Sequence, residues 1–533
     1  IGNAHTQHTA KRSKRKQRKT GARNAQEMIT GVKAKDNVIG GLSRNFVAGA
    51  HKQQILIDGG ANGNTVKNVD LGNKDLAELA QATGNAVLIT GTGTNGNIVG
   101  GVLGTDGNNI FHSNDVAVLI TDLASGNTVK SNVFEGVGAF LAYSAIQVNN
   151  AGLNIIGGSA ADQGNVIKVT SANAIVVDGA SNGNQVQFNY IGVDENEAAQ
   201  GPIKGHGILL LGSGVENTII NENVIGMLDD ADSSAIYING VSAISTLYGN
   251  YVGITRNDLP IPNAGNGISV LNSSNSVSVG TALQTPNIIS NNAGHGVEVT
   301  GATLTVVVNN YIGTDVAGNA RQGNLKNGVH IATGNTSIDI NTNVIAGNSL
   351  DGVLVDFVVG GTNAISSNKI GLGNDGTTKL PNGFLGTVDA QNGIHLLNSD
   401  TQFTIDGNEI TGHVENQIKI DGSDNHTISN NFLGTNEALA AGLGGTGDVL
   451  LFTNGSGTAT ITGNTIVGSA DGNGINLTDG LSGTSLIDGN TIGDMNSPNG
   501  VNGILVTGQI SDPDPAVFLT ISGNNDDGDC TTG

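Results

Sequence analysis

The sequence predicts an all-β chain, a single-stranded right-handed parallel β-helix with three short strands per coil. Three observations carry this reading. Glycine fills 82 of 533 positions, while Trp is absent and Pro numbers only 8. Hydrophobic residues reach 37% but aromatic residues only 3%, so the core must be built from Ile, Val and Leu. Finally, one motif returns along most of the chain: Asn, any residue, a large aliphatic, then commonly Gly. Self-similarity of this kind is the mark of a solenoid, whose repeats cannot bury their apolar faces alone. The alternatives fail on composition. Collagen needs Gly at every third position with abundant Pro, and a disordered chain lacks alternating β-branched residues.

The motif begins at Asn189, Asn223, Asn250, Asn287, Asn310, Asn343, Asn368, Asn408, Asn431, Asn464 and Asn490. Successive spacings are 34, 27, 37, 23, 33, 25, 40, 23, 33 and 26 residues. Long and short coils alternate, so the unit is a pair of coils. A second strand of pattern Gly-h-x-h (h apolar) recurs, as at Gly267-Ile268-Ser269-Val270 and Gly328-Val329-His330-Ile331. A third precedes the next Asn, as at Ser337-Ile338-Asp339-Ile340. Alternation with period two in short runs bounded by Gly and Asn is the strand signal. The recurring Asn is expected at a turn, tolerating a left-handed backbone while its amide bonds the equivalent amide one coil away. It is therefore read as a structural ladder.

Insertions in the long coils start just after the motif, at 193–204, 254–265, 314–326, 372–391 and 435–445. Each projects from the same edge, which predicts a ridge of loops. An earlier insertion, 74–83, reads as a short helix. The domain reading is a basic N-terminal segment over 1–36, extended or weakly capping, followed by one continuous β-helix over 37–533.

The pieces NVIGG at 37–41, NIIGGSAADQGNVI at 154–167 and NYIGTDVAGNARQGNLKNGVHI at 310–331 resemble the bacterial right-handed parallel β-helix repeat proteins. These belong to the pectate-lyase-like superfamily, and the likeness is to the Asn/Gly-rich surface or secreted type. The resemblance spans about 37–524 and implies the fold. It leaves function open, because that superfamily includes lyases, hydrolases, epimerases, adhesins and phage spikes.

Charge narrows the choices. Up to Lys52 the chain carries 12 Lys and Arg against Glu27 and Asp36, a balance of +10, so the remainder must hold −32 to reach −22. Lys11, Arg12, Lys14, Arg15, Lys16, Arg18 and Lys19 form one basic cluster. It could bind an anionic polymer or mark a processing site, but no aromatic residue lies within it. The reading preferred here is contact with the acidic body of a second copy. After Lys52 the only Arg residues are Arg256 and Arg321, both in insertions. The resemblance implies that a lyase would use Arg or Lys with carboxylate-bound calcium, and a hydrolase clustered Asp. An acidic body with no Trp and 6 Tyr disfavours an enzyme acting on acidic glycans.

No catalytic residue is assigned from sequence, and no cofactor is required. Calcium is considered at Asp526, Asp527 and Asp529, and at Asp194 and Glu195, on the strength of clustered hard oxygens. Glu197, Asp229, Asp230 and Asp232 are further loop acids. Solvation of an apolar-cored solenoid is the preferred reading of such loops. His206, His295, His330 and His395 lie beside or within Gly-h-x-h strands, with His330 and His395 at the outward x position. Those two, separated by two coils, read as a surface feature.

Cys530 has no partner, so no disulfide framework or Cys/His zinc spacing exists. No apolar run is long enough to span a membrane. The chain opens on Ile1 rather than Met, which reads as a processed product or a fragment. The C-terminal motif at 520–525 lacks a recognisable cap, and open strand edges favour pairing with another chain. The expectation is a secreted or cell-surface fibre subunit assembling head to tail with itself, with cell-surface glycans as further partners and no nucleic acid. The alternatives are a polysaccharide-active enzyme (lyase, hydrolase or epimerase) and an adhesin or phage-spike shaft.

Overall fold

The computed structural model describes residues 27–31, 34–41, 44–47, 53–72, 84–101, 105–111, 115–136, 144–242, 245–273, 276–358, 360–383, 391–399, 401–423, 425–454, 457–478, 481, 484–493, 499–507 and 519–525. The chain divides into two compact units, Ile1–Tyr237 with Val241–Ser245, and Ile238–Gly240 with Thr246–Gly533. Both are built the same way: every strand pairs in parallel with the strand three further along the chain. The chain is a right-handed parallel β-helix.

In the first unit the strands Ile55–Asp58, Val87–Thr90, Val118–Thr121, Ile146–Asn149, Ile175–Asp178 and Ile208–Leu211 stack in unbroken register. This is sheet 1, made by the Gly-h-x-h strands. Sheet 2 holds the strands before each ladder Asn, such as Thr128–Val129, Ile155–Gly157 and Gln185–Gln187. Sheet 3 holds the short strands at or after it, such as Val166–Ile167, Tyr190–Ile191 and Val224–Ile225. The first described strand, Glu27–Thr30, pairs with Ile55–Asp58. Coils thus start earlier than the boundary read at residue 37.

The second unit repeats the plan. Its sheet 1 runs through Asn266–Leu271, Val297–Thr300, Val329–Ile331, Val353–Asp356, Ile394–Leu397, Ile418–Asp421, Leu450–Thr453, Ile475–Thr478 and Ile504–Thr507. Alternation is strict because a strand shows successive side chains to opposite faces. Inward residues form columns, such as Val307–Ile340–Ile365–Ile405–Ile428–Ile461–Ile487 in sheet 2, and all seven are fully buried. The three sheets enclose this aliphatic core, whose largest fully buried side chains are Phe134, Phe403 and Phe452.

The Asn ladder is present in both units. In the second unit each Nδ2 donates to the next Oδ1 from Asn250 through Asn287, Asn310, Asn343, Asn368, Asn408, Asn431 and Asn464 to Asn490, at 2.8–3.0 Å. In the first, Asn165, Asn189 and Asn223 are joined in the same way. The expected left-handed backbone is displaced, however. It falls on the residue before the ladder Asn, whatever its type: Phe188, Glu222, Asn309, Thr342, Ser367 and Asn430 have φ of 53–58°. Asn is used there for its amide, which fits a buried donor and acceptor at once.

Two further ladders escaped the sequence reading. Asn64, Asn97, Asn127, Asn154 and Asn184 form one in the first unit. Asn263, Asn292, Asn324, Asn348 and Asn382 form another in the second.

Insertions leave sheet 3 in both units, and those of the second unit form the expected ridge. Four are small hairpins closed by antiparallel bridges, Val193 to Ala199, Ile254 to Pro260, Thr314 to Arg321 and Leu372 to Lys379. Each leaves sheet 3 through the motif Gly, and Gly253 shows why: its φ is +76° and an added Cβ would lie 1.9 Å from the Ser290 carbonyl oxygen. The loops of the second unit also touch one another. Val316 N donates to Asp258 Oδ1 at 2.7 Å, Asp375 N to Asn319 Oδ1 at 2.9 Å, and Asn436 Nδ2 to Gly376 O at 2.7 Å. The expected helix at 74–83 lies outside the described residues.

Candidate functional site

Parallel in-register stacking turns the x position of Gly-h-x-h into a row along the outside of sheet 1. In the second unit the row reads Ser269, Glu298, His330, Leu354, His395, Lys419, Leu451 and Asn476. A parallel row stands just before the strands. There Gly267 N donates to His295 O, Gly296 N to Asn327 O, Gly328 N to Asp351 O, Gly352 N to Asn392 O and Gly393 N to Asn416 O. A third row, two residues beyond x, places Asp356, Leu397 and Asp421 side by side. Chemistry-bearing side chains gather where these rows meet.

The densest gathering centres on His395. Its Nδ1 lies 3.5 Å from Asp351 Oδ2, and its Nε2 lies 3.9 Å from Asp421 Oδ2. Lys419 Nζ is 3.6 Å from the same Asp421 oxygen. Asp351 is 2% exposed, His395 5% and Lys419 7%, so one acid, an amine and an imidazole are almost dry although they stand on the outer face of a sheet, and Asp421 beside them is partly buried. Charges taken from water need partners, and the acids have them. Asp351 Oδ1 accepts from Asn392 N at 2.8 Å and from Asn392 Nδ2 at 3.0 Å, and Asp421 Oδ1 accepts from Asn454 Nδ2. Each carboxylate is pinned by one oxygen and turns the other toward His395. Both ring nitrogens of His395 are buried without a hydrogen bond. An imidazole set between two carboxylates, with an amine beside one of them, is an arrangement suited to general acid–base chemistry.

A second gathering lies two strands away in the same rows. The His295 and His330 rings stack with centroids 4.6 Å apart, and His330 Nδ1 lies 3.7 Å from Glu298 Oε1. The arrangement of one carboxylate with two imidazoles is the donor set of a divalent transition metal.

The residues singled out from sequence fare differently. Asp194 is occupied as a loop brace: its Oδ1 accepts from Asn196 N and Ala198 N, each at 2.9 Å, and its Oδ2 from Gln200 Nε2 at 2.9 Å. Thr255 braces its loop through the corresponding pair of backbone donors, Asn257 N and Leu259 N, while Asp315 accepts from Asn319 N and Ala320 N, and Asp375 from Thr377 N and Thr378 N. Glu195 is exposed beside it. Asp229 pairs with Lys204. Arg256 lies over the Tyr251 ring, 5.0 Å from its centroid, and Arg321 donates to Pro381 O at 3.2 Å, so both support the loop ridge. His206 stacks on Tyr237 with centroids 4.1 Å apart. Asp526, Asp527 and Asp529, and the cluster from Lys11 to Lys19, lie outside the described residues.

His330 and His395 were legible as one outward row, and Leu354 stands between them. Their acidic and basic neighbours were missed. Acids were sought within single loops or strands, whereas Asp351, His395 and Asp421 come from three different coils. The signal was available: Glu298 in Gly296-Val297-Glu298-Val299 and Lys419 in Gln417-Ile418-Lys419-Ile420 occupy the same x position as the histidines.

No protein-family profile matches the sequence, and comparison with curated proteins yields no match. Among solved structures, the chain is similar to the Dettilon tailspike protein gp208 at 15% identity and a TM-score of 0.30, over 67% of this chain and 62% of that one. It thus spans less than two thirds of the tailspike. It is also similar to the A-module of the Azotobacter vinelandii mannuronan C-5 epimerase AlgE6, at 14% identity and a TM-score of 0.30, over 87% of this chain and 91% of that one. A third similarity is to DFA-IIIase from Arthrobacter chlorophenolicus A6 without its lid, at 12% identity and a TM-score of 0.27, covering 89% and 90%. None of these likenesses carries an activity to this chain. The fold rests on its own strand register. No helix among the described residues is long and apolar enough to cross a membrane.

Proposed function

We propose that the protein is an extracellular polysaccharide-active enzyme whose substrate lies along the outside of sheet 1 in the second unit, with Asp351, His395, Lys419 and Asp421 as its acid–base group. The observation that supports this is the nearly dry His395 ring, its two nitrogens without hydrogen bonds between two pinned carboxylates. A purely structural imidazole would be expected to satisfy at least one nitrogen once buried. In this reading His395 exchanges a proton with the glycan, Asp351 fixes the ring, and Lys419 and Asp421 stand beside it, 3.6 Å from each other. The chain after Lys52 carries −32, so the substrate is a neutral glycan.

The test is product release from a panel of neutral and uronate polysaccharides, read by reducing ends and by unsaturated products. Cleavage of a neutral glycan that falls by about 100-fold or more in His395→Ala and Asp421→Asn supports the reading. Absence of product from every glycan, or cleavage indifferent to both substitutions, overturns it.

The second reading, a surface fibre subunit assembling head to tail, is favoured by the +10 balance of the first 52 residues against −32 in the rest. Opposite charges on one molecule suit a heterologous contact that does not close. Electron microscopy across a salt series tests it. Thin filaments that loosen as salt rises support it, and isolated particles at every salt concentration sink it.

A further inference from the structure

We propose that His295, Glu298 and His330 form a binding site for a divalent transition-metal ion such as Zn²⁺. This site is independent of the acid–base group at His395. Among the described residues it is the one group of three or more His, Cys, Asp or Glu that could hold a metal, its ligand atoms all within 4.8 Å of one another.

Two strands and a turn build it. Glu298 and His330 are register partners on neighbouring strands of sheet 1, so their side chains leave the same face side by side. His295 sits two residues before its strand, and its backbone N donates to Asn266 Oδ1 at 2.8 Å. A tetrahedral zinc with bonds of about 2.0–2.2 Å needs donors about 3.4 Å apart. His330 Nδ1 and Glu298 Oε1 stand at 3.7 Å, which a small rotation of either side chain closes.

Two further observations point to a ligand. His295 is 8% exposed, and its Nδ1 and that of His330 are buried without a hydrogen bond. Two stacked imidazoles that leave inward nitrogens unsatisfied lose hydrogen bonds that a shared cation would replace. Glu298 is already oriented, because Asn266 Nδ2 donates to its Oε2 at 2.6 Å; a carboxylate held by one oxygen presents the other, as supporting residues around metal sites do. Lys326 is a nearby positive charge that a bound cation would have to offset.

The donor set selects the metal. Imidazole nitrogen suits Zn²⁺, Ni²⁺, Co²⁺ and Cu²⁺, whereas Ca²⁺ and Mg²⁺ seek six or more oxygens. Three protein ligands leave at least one coordination position open, so the ion would face the outer side of the sheet with a site for water or a hydroxyl.

The experiment uses the full chain, stripped with a chelator and titrated with Zn²⁺ by calorimetry at neutral pH, with Ca²⁺ as contrast. A cobalt-loaded sample is read by its visible spectrum for tetrahedral nitrogen ligation. Expected is one equivalent of Zn²⁺ that disappears in the His295→Ala/His330→Ala double variant and weakens roughly 10- to 100-fold in Asn266→Ala. Retention of the equivalent in the double variant overturns the site and assigns the binding elsewhere on the chain. No stoichiometric binding to the native chain overturns it outright. His330→Gln replaces the double variant if that one melts early, since His330 lies on the outer face, and it must weaken binding at an unchanged melting temperature.

Discussion

Asn343 shows what one side chain does in this fold. Its Nδ2 donates to Asn368 Oδ1 at 3.0 Å, Val307 O at 2.8 Å and Asn341 O at 3.0 Å, while its Oδ1 accepts from Asn310 N and Nδ2, each at 2.9 Å. Asn343→Ala should leave several buried groups unpaired, at roughly 1–3 kcal/mol for each one that water cannot reach. We expect the variant to lose about 3 kcal/mol in denaturant unfolding, with Asn343→Asp worse because a carboxylate cannot donate to the two carbonyls. His413 is the complementary case. Its Nε2 meets Asn382 Nδ2 at 3.2 Å and its Nδ1 meets Gln417 Oε1 at 3.0 Å, so a histidine ends the ladder that Asn263, Asn292, Asn324, Asn348 and Asn382 build. Burial lowers its pKa to about 4, below the unfolded value of about 6.5. Between those pH values the unfolded chain binds more protons, so stability falls as pH drops from about 6.5 toward 4. Burial likewise takes His426 down to about 4, which adds to the slope. The His413→Asn variant continues the ladder without a titrating group. It should keep its stability at pH 7 and show a shallower fall at pH 5, measured by urea midpoints across pH; an unchanged slope would exclude His413 as its source.

At the scale of elements, stacked loops do what isolated loops cannot. An exposed hairpin of a few residues is marginal in water, yet the loops of the second unit are braced internally by Asp315, Asp375 and their equivalents and then tied to each other. Hydrogen bonds from Thr378 and Thr377 hold the Asp375 carboxyl at about 2, so the brace persists well into acid. Asn319 is a tie between loops: its Oδ1 accepts from Asp375 N at 2.9 Å. We expect Asn319→Ala to speed hydrogen exchange at Asp375 while leaving the sheet 1 strand Ile394–Leu397 protected, because strand amides are bonded to neighbouring coils. Equal loss of protection in both would show that loop and sheet open together.

For the whole molecule, charge decides which partners can approach. An acidic body is screened by salt over about 10 Å at 0.1 M, so any binding of a uronate polymer should strengthen as salt rises. Binding of a neutral glycan should change little. Affinity electrophoresis at two ionic strengths separates the two, and tighter uronate binding at low salt would contradict the neutral-glycan assignment. The same solenoid logic makes stability local, since each coil rests on its nearest neighbours.

Composition, the paired Asn spacing and the Gly-h-x-h strands determined the fold, the main ladder and the loop ridge, because each follows from a local rule of period or turn. Local rules reached less far into the site. His330 and His395 were recognisable as outward residues, but Asp351 and Asp421 meet His395 only because coils of unequal length return to one register; insertions absorb the difference in length, so spacing along the chain does not give distance across the sheet. For the same reason the left-handed turn before most ladder Asn residues was misplaced by one residue: sequence marks the recurring amide of the repeat, whereas backbone conformation depends on where the neighbouring coil requires the turn. Tertiary stacking alone decided which acids face which histidines, and that Asp351 and His395 are dry.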